Sequence, residues 1–102
     1  MHTLMVAYPH PADPVEFRRY YAQTHLPLAA KIPNVRASRY SFEIATPDGS
    51  PSPYFAVFEA DFDSVEAMGA ALDSPEGQAA QTDVGNFATH GVHIMHFESQ
   101  SA

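Results

Sequence analysis

Short apolar runs, separated by breaks rich in proline, glycine and aspartate, set the rhythm of this chain. His2 to Tyr8, HTLMVAY, is apolar almost throughout and stops at Pro9 and Pro11, the pattern of a buried strand. Val35 to Ala45 alternates and predicts a second strand. Tyr54 to Ala60, YFAVFEA, is aromatic and β-branched enough for a third, central one, and Gly91 to Phe97 predicts the last. Between the first two strands, Phe17, Tyr20, Tyr21, Thr24 and Leu28 recur at helical spacing. Asp13 can cap that helix, Pro14 suits its first position, and Glu16 completes a capping-box-like spacing. Pro27 removes a backbone donor and disfavours the helical region at Leu26, so the helix should end or kink close to His25.

Asp63-Ser64-Val65-Glu66 repeats the D-x-x-E start, and Val65, Met68 and Leu72 give a second apolar stripe. Ser74-Pro75-Glu76 caps a further short helix carrying Ala80, Val84 and Phe87. In the turn at Ile32-Pro33-Asn34, Asn34 tolerates a left-handed backbone. Residues 45–53 are expected to be a mobile loop and 99–102 a frayed tail, within a single domain spanning 1–102.

The order strand, helix, strand, strand, helix, strand predicts an α+β, ferredoxin-like βαββαβ fold. Right-handed crossovers then give a four-stranded antiparallel sheet with helices on one face. Strand alternation sets Leu4, Val6 and Tyr8 against Met5 and Ala7, and Tyr54, Ala56 and Phe58 against Phe55 and Val57. Both faces look apolar, so the face without helices should be covered by a second copy, sheet against sheet.

Composition supports that expectation. Charged residues make up 17% of the chain, against about 25% in ordinary soluble domains. The net charge is -7, and the five basic residues are scattered at Arg18, Arg19, Lys31, Arg36 and Arg39. That argues against nucleic acid and against anionic membrane surfaces. No apolar run approaches a membrane span, and no charged-then-apolar leader opens the chain, so a cytoplasmic location is expected. Without cysteine there is no disulfide, thiolate nucleophile or thiolate metal site.

His25 is the first candidate for chemistry. A histidine closing a helix beside a cavity can act as general acid or base, and Tyr21, one turn earlier, can orient it. The plain alternative is that His25 bonds a backbone carbonyl freed by Pro27 and merely stops the helix. Tyr8, Tyr40 and Tyr54 sit on strands, where their hydroxyls can line a cavity or cap core rings with a wet tip. Glu59, inside an apolar strand, is either an acid of raised pKa or an edge residue facing solvent. His90, His93 and His96 do not make a metal site, because alternation turns His93 and His96 to opposite faces. No glycine-rich phosphate loop follows a strand, so no nucleotide cofactor is expected, and none of another kind.

One stretch is recognisable. Tyr8-Pro9 at a strand end, then Asp13-Pro14, Phe17, Tyr20-Tyr21, His25, Pro27 and Leu28 in the spacing D-P-x-x-F-x-x-Y-Y-x-x-x-H-x-P-L, resembles the EthD family of the dimeric α/β-barrel superfamily. Pro33-Asn34-Val35, Phe62 with Ser64, Ser74-Pro75-Glu76-Gly77, and Asp83 with Asn86-Phe87 extend the likeness over nearly the whole chain. The resemblance implies a homodimer closed sheet to sheet into a barrel, and an oxidoreductase or reductase label. Related barrels include cofactor-free monooxygenases, isomerases and cyclases, and the shared fold selects none of them. Two readings of function follow. In one, a small cofactor-independent enzyme binds an apolar or oxygenated small molecule between sheet and helices. His25 then transfers the proton, and Tyr8, Tyr21, Tyr40, Tyr54 and Glu59 contact the substrate. In the other, a non-catalytic protein binds a ligand as an accessory of an oxidative degradation or biosynthetic pathway.

Overall fold

A four-stranded sheet carries the fold, in a computed structural model that describes residues 1–102. Its strands are β1 (His2–Pro9), β2 (Ala37–Phe42), β3 (Tyr54–Phe62) and β4 (His93–Glu98), in the order β2-β3-β1-β4 with every neighbouring pair antiparallel. This is the ferredoxin-like arrangement expected from the order of elements. The chain's most apolar run, β1, lies inside the sheet, with β3 on one side and β4 on the other.

One face holds the core. Leu4, Val6 and Tyr8 from β1 and Ala56, Phe58, Ala60 and Phe62 from β3 meet Phe17, Tyr21, Met68 and Phe87 from the helical side. Five aromatic rings cluster at one end of this layer. Phe17 lies 5.4 Å from Tyr8, 5.6 Å from Tyr21, 5.3 Å from Phe55 and 5.2 Å from Phe87 between ring centres. Such contacts add to the stabilisation from burial alone.

The first helical stretch departs from expectation. α1 (Pro14–Tyr20) passes into a π turn (Tyr21–His25) and continues as α2 (Leu26–Ala29). The N–H of Leu26 bonds the carbonyl of Tyr21, five residues back, and Leu26 keeps a helical backbone at φ -58°, ψ -40°. Pro27 does not push Leu26 out of the helical region; the helix widens just before it into the π turn. Pro27 then occupies the first turn of α2, a position that proline tolerates better than a helix interior.

The caps differ in detail as well. Asp13 accepts from the N–H of Glu16, but the Glu16 carboxylate pairs with Arg19 rather than closing a capping box. At α3 (Val65–Asp73) the cap is Ser64, while Asp63 forms an ion pair with Arg36. Ser74 caps α4 (Pro75–Asp83), which ends in a short 3-10 turn at Val84–Asn86. β2 is shorter than its alternation suggested. It stops where Glu43 turns left-handed, at φ 57°. Asn34 adopts φ 62°, the conformation its side chain tolerates.

The face without helices carries Thr3, Met5 and Ala7 beside Val57, Glu59, Asp61, Met95 and Phe97. It is not uniformly apolar. Arg39 reaches Asp61 at 3.1 Å and Glu59 at 3.4 Å, and Thr3 donates to Asp61 at 2.8 Å. The pairing of faces along β3 also needs correction. Pro9 faces Tyr54 and Tyr8 faces Ala56, so Phe55 is an extra, bulged residue. Phe55 therefore packs on Phe17, while Tyr54 goes to the open face.

Candidate functional site

The π turn and the end of α4 meet on the helical side of the sheet. His25 closes the π turn, Asp83 closes α4, and His25 Nδ1 lies 3.0 Å from Asp83 Oδ2. Both are buried, at 6% and 7% exposure. An isolated carboxylate at that depth would be costly, and this one is well partnered. Its Oδ1 accepts from the Tyr20 hydroxyl at 2.6 Å and the Asn86 amide at 3.0 Å.

Burial pushes the Asp83 carboxyl upward, but the bonds from Tyr20, Asn86 and His25 outweigh it and hold the group below the usual carboxylate range. For His25 the balance runs the other way. Burial lowers its pKa and prevails over the upward pull of Asp83. At neutral pH the pair is therefore a neutral imidazole beside an ionised carboxylate. Because the carboxylate carries no proton, Nδ1–H is the donor and Nε2 holds the lone pair.

The hydrogen bond of the His25 side chain is made through Nδ1, which leaves Nε2 free. The ring packs 4.6 Å from Phe87 and 5.2 Å from Tyr21, centre to centre, which leaves it little freedom. His25 also lines a hollow of about 500 Å³, whose walls include Val6, Tyr8, Phe58, Val84 and Ile94. A neutral base in one tautomer, beside an anion able to stabilise its protonated form and facing an apolar hollow, can accept a proton from a bound molecule.

The other candidates fall in different places. Tyr8 lines the same hollow, and burial pushes its phenol up to about 12, so it stays protonated. Tyr21 is 1% exposed, its hydroxyl is buried without a partner, and burial pushes its pKa far upward. Tyr40, on β2, is 48% exposed, and its ring lies 5.9 Å from that of Tyr21. It borders a separate hollow of about 750 Å³. Tyr54 and Glu59 lie across the sheet, on the open face, where Tyr54 bonds His93 at 3.0 Å and Glu59 pairs with Arg39. The structure thus brings His25, Tyr8 and Tyr21 together and sets Tyr54 and Glu59 apart from them.

Of the remaining histidines, His96 Nδ1 lies 2.8 Å from His2 Nε2, on the face opposite His93. No group of three metal-type side chains converges anywhere in the chain.

Asp83, Tyr20 and Asn86 did not stand out as site residues in the sequence. A signal was nonetheless present. Asp83 falls within the helical stripe Ala80, Val84, Phe87, where an acid is out of place unless it has partners.

Comparison with known proteins fits this architecture. The EthD domain family matches residues 9–91. An uncharacterized 11.0 kDa protein from the thcB-thcC intergenic region of Rhodococcus erythropolis is 36% identical over 101 residues, covering 99% of this chain and 97% of the relative. The crystal structure of an EthD family protein from Bacillus halodurans superposes with a TM-score of 0.91 at 30% identity, over 98% of this chain and 99% of that one. A cofactor-independent oxygenase from Streptomyces nogalater shares the fold alone, at TM-score 0.65 and 18% identity, over 99% of this chain and 93% of that one. A family match across most of the chain, joined by a relative 36% identical along nearly its whole length, shows that this chain belongs to the EthD family.

Proposed function

We propose that this chain is a small, cofactor-independent enzyme in which Nε2 of His25 acts as general base on an apolar molecule carrying oxygen. The observation that carries this reading is the buried His25–Asp83 pair at the wall of the 500 Å³ hollow. The hollow lies within the size range of small-molecule sites and is mostly apolar. A proton leaves an acidic O–H, or a C–H next to a carbonyl, and goes to Nε2. The electron pair stays on the substrate as a phenolate or enolate. Nδ1–H remains on Asp83, whose negative charge stabilises the imidazolium, and the proton returns to the product. Tyr8, held protonated, can pack against the substrate or donate to it but cannot serve as a base. A protein of this fold that is an oxygenase without cofactor gives the reading a precedent. We also place the protein as a homodimer joined through the open sheet face, where Met5, Val57, Met95 and Phe97 are only partly covered.

The minimal activity of such a base is proton exchange. Enolisable aryl ketones incubated in heavy water should take up deuterium faster with the protein, read by mass spectrometry. His25→Gln, which keeps a polar side chain of similar length, should remove the acceleration. Equal exchange by the variant would overturn the assignment, and ligand binding without exchange would favour the accessory reading.

A further inference from the structure

Two hollows lie back to back on the helical side of the sheet. The nearer one, about 500 Å³, holds His25; the farther one, about 750 Å³, lies over β2 and β3 and is bounded by Leu26, Val35, Ser38, Tyr40 and Phe62. Four residues line both. Leu4 and Phe58 come from the sheet below, and Ala29 and Ile32 from the end of α2 and the turn after it. The two spaces therefore adjoin along these four side chains.

The geometry points to an elongated substrate that spans both hollows, with its oxygenated head at His25 and an uncharged apolar tail of several carbons passing beneath Ala29 and Ile32 into the space beside Ser38. This rests on the reading of His25 as the base and adds the substrate class to it. The tail has to be uncharged. Arg36 and Arg39 at the far hollow are already engaged, Arg36 with Asp63 and Arg39 with Asp61 and Glu59, so neither is a free partner for an anion. The chain's net charge of -7 opposes an anionic tail as well. A cationic tail would have to leave water for a lining that is mainly aliphatic and aromatic.

The probe is a 4-alkylphenol series from methyl to nonyl, with binding followed calorimetrically. Once the alkyl chain reaches the shared wall, each further methylene should tighten binding by about fourfold, the equivalent of ~0.8 kcal/mol per buried methylene. Ser38, exposed on β2, lines the far hollow and not the one that holds His25, and Ser38→Phe fills that space. It should abolish the gain for nonylphenol and leave methylphenol unchanged.

If nonylphenol binds no tighter than methylphenol to the wild type, the two-hollow site is wrong, whereas His25 remains testable by deuterium exchange. Equal weakening of both ligands by Ser38→Phe overturns the proposal too. So does a change in oligomeric state on substitution, since the far hollow would then be covered by a second copy. If neither phenol binds, the extended site falls, and the ketone exchange assay decides the role of His25 separately.

Discussion

His25 Nδ1 and Asp83 Oδ2 lie 3.0 Å apart although 58 residues separate them in the chain. The contact joins two helical segments that the sheet holds side by side, and it fixes which nitrogen of the imidazole is left to accept a proton. If the carboxylate matters for proton transfer, replacing it by an amide should be severe while the fold survives. Asp83→Asn keeps the size and can still bond Tyr20 and Asn86. It removes the charge that stabilises the imidazolium, and its amide can face Nδ1 with a donor, favouring the wrong tautomer. The exchange rate should fall by roughly 100-fold or more, within the range that positioned acid–base groups contribute. Nitrogen-15 shifts of His25 should show its pKa moving further down, because Asp83 is the group pulling it upward. An unchanged titration would mean that the pair is not coupled.

The same pair should govern acid stability. His25 has a folded pKa below its ordinary value near 6.5, so between those two values the unfolded chain binds a proton that the folded chain refuses. Stability is then complete above the unfolded pKa and is lost as pH falls toward the depressed folded one. Asp83, also lowered, acts in the same direction in the carboxylate range. Urea denaturation of wild type and His25→Gln at several pH values isolates the histidine. The gap between their stabilities should shift in favour of the variant as pH drops below about 6.5. Parallel curves would show that His25 titrates alike in both states.

Tyr21 offers a test of opposite sign. Its hydroxyl is buried beside that of Tyr8 without completing a hydrogen bond to it, and an unsatisfied buried group costs about 1–3 kcal/mol. Tyr21→Phe retains the ring contacts with Phe17, Tyr8 and His25 and removes only that oxygen. The variant should be at least as stable as wild type, and up to roughly 2 kcal/mol more stable. A marked loss of stability would show that the Tyr8 and Tyr21 hydroxyls are bonded to each other.

These residues also show where sequence pattern stops being informative. β1 was plain because a run such as Thr3-Leu4-Met5-Val6-Ala7 has few alternatives to a buried strand, and the caps at Asp13 and Ser74 follow from local hydrogen bonding. The π turn was not plain. Pro27 announced a disturbance, but whether the helix ends or widens depends on Tyr21 and His25 packing against Phe87. Phe55 illustrates the same limit, since a single bulged residue reverses the side taken by Tyr54. His25 could be singled out from its own neighbourhood. The stripe around Asp83 marks it as an acid in need of partners, but that its partner is His25 follows from the fold and not from spacing.

Met95 and Phe97, on the outer strand β4, are 40% and 39% exposed, and Met5 lies beside Met95 in the register. Half-buried side chains of this size on a sheet face invite a second layer. The charged residues there do not forbid one, because Arg39, Glu59 and Asp61 are bonded to one another and could be covered together. A stable pair would need to cover about 1,600 Å² in total. Wild type should sediment at twice its chain mass at micromolar concentration. Met95→Lys puts a cation on that face with little effect on the protomer, since the position is already partly in water. It should shift the population toward monomer by at least tenfold in dissociation constant, with an unchanged circular dichroism spectrum. A wild-type protein that sediments as a single chain would rule out pairing through this face. A dimer indifferent to Met95→Lys would place the interface elsewhere.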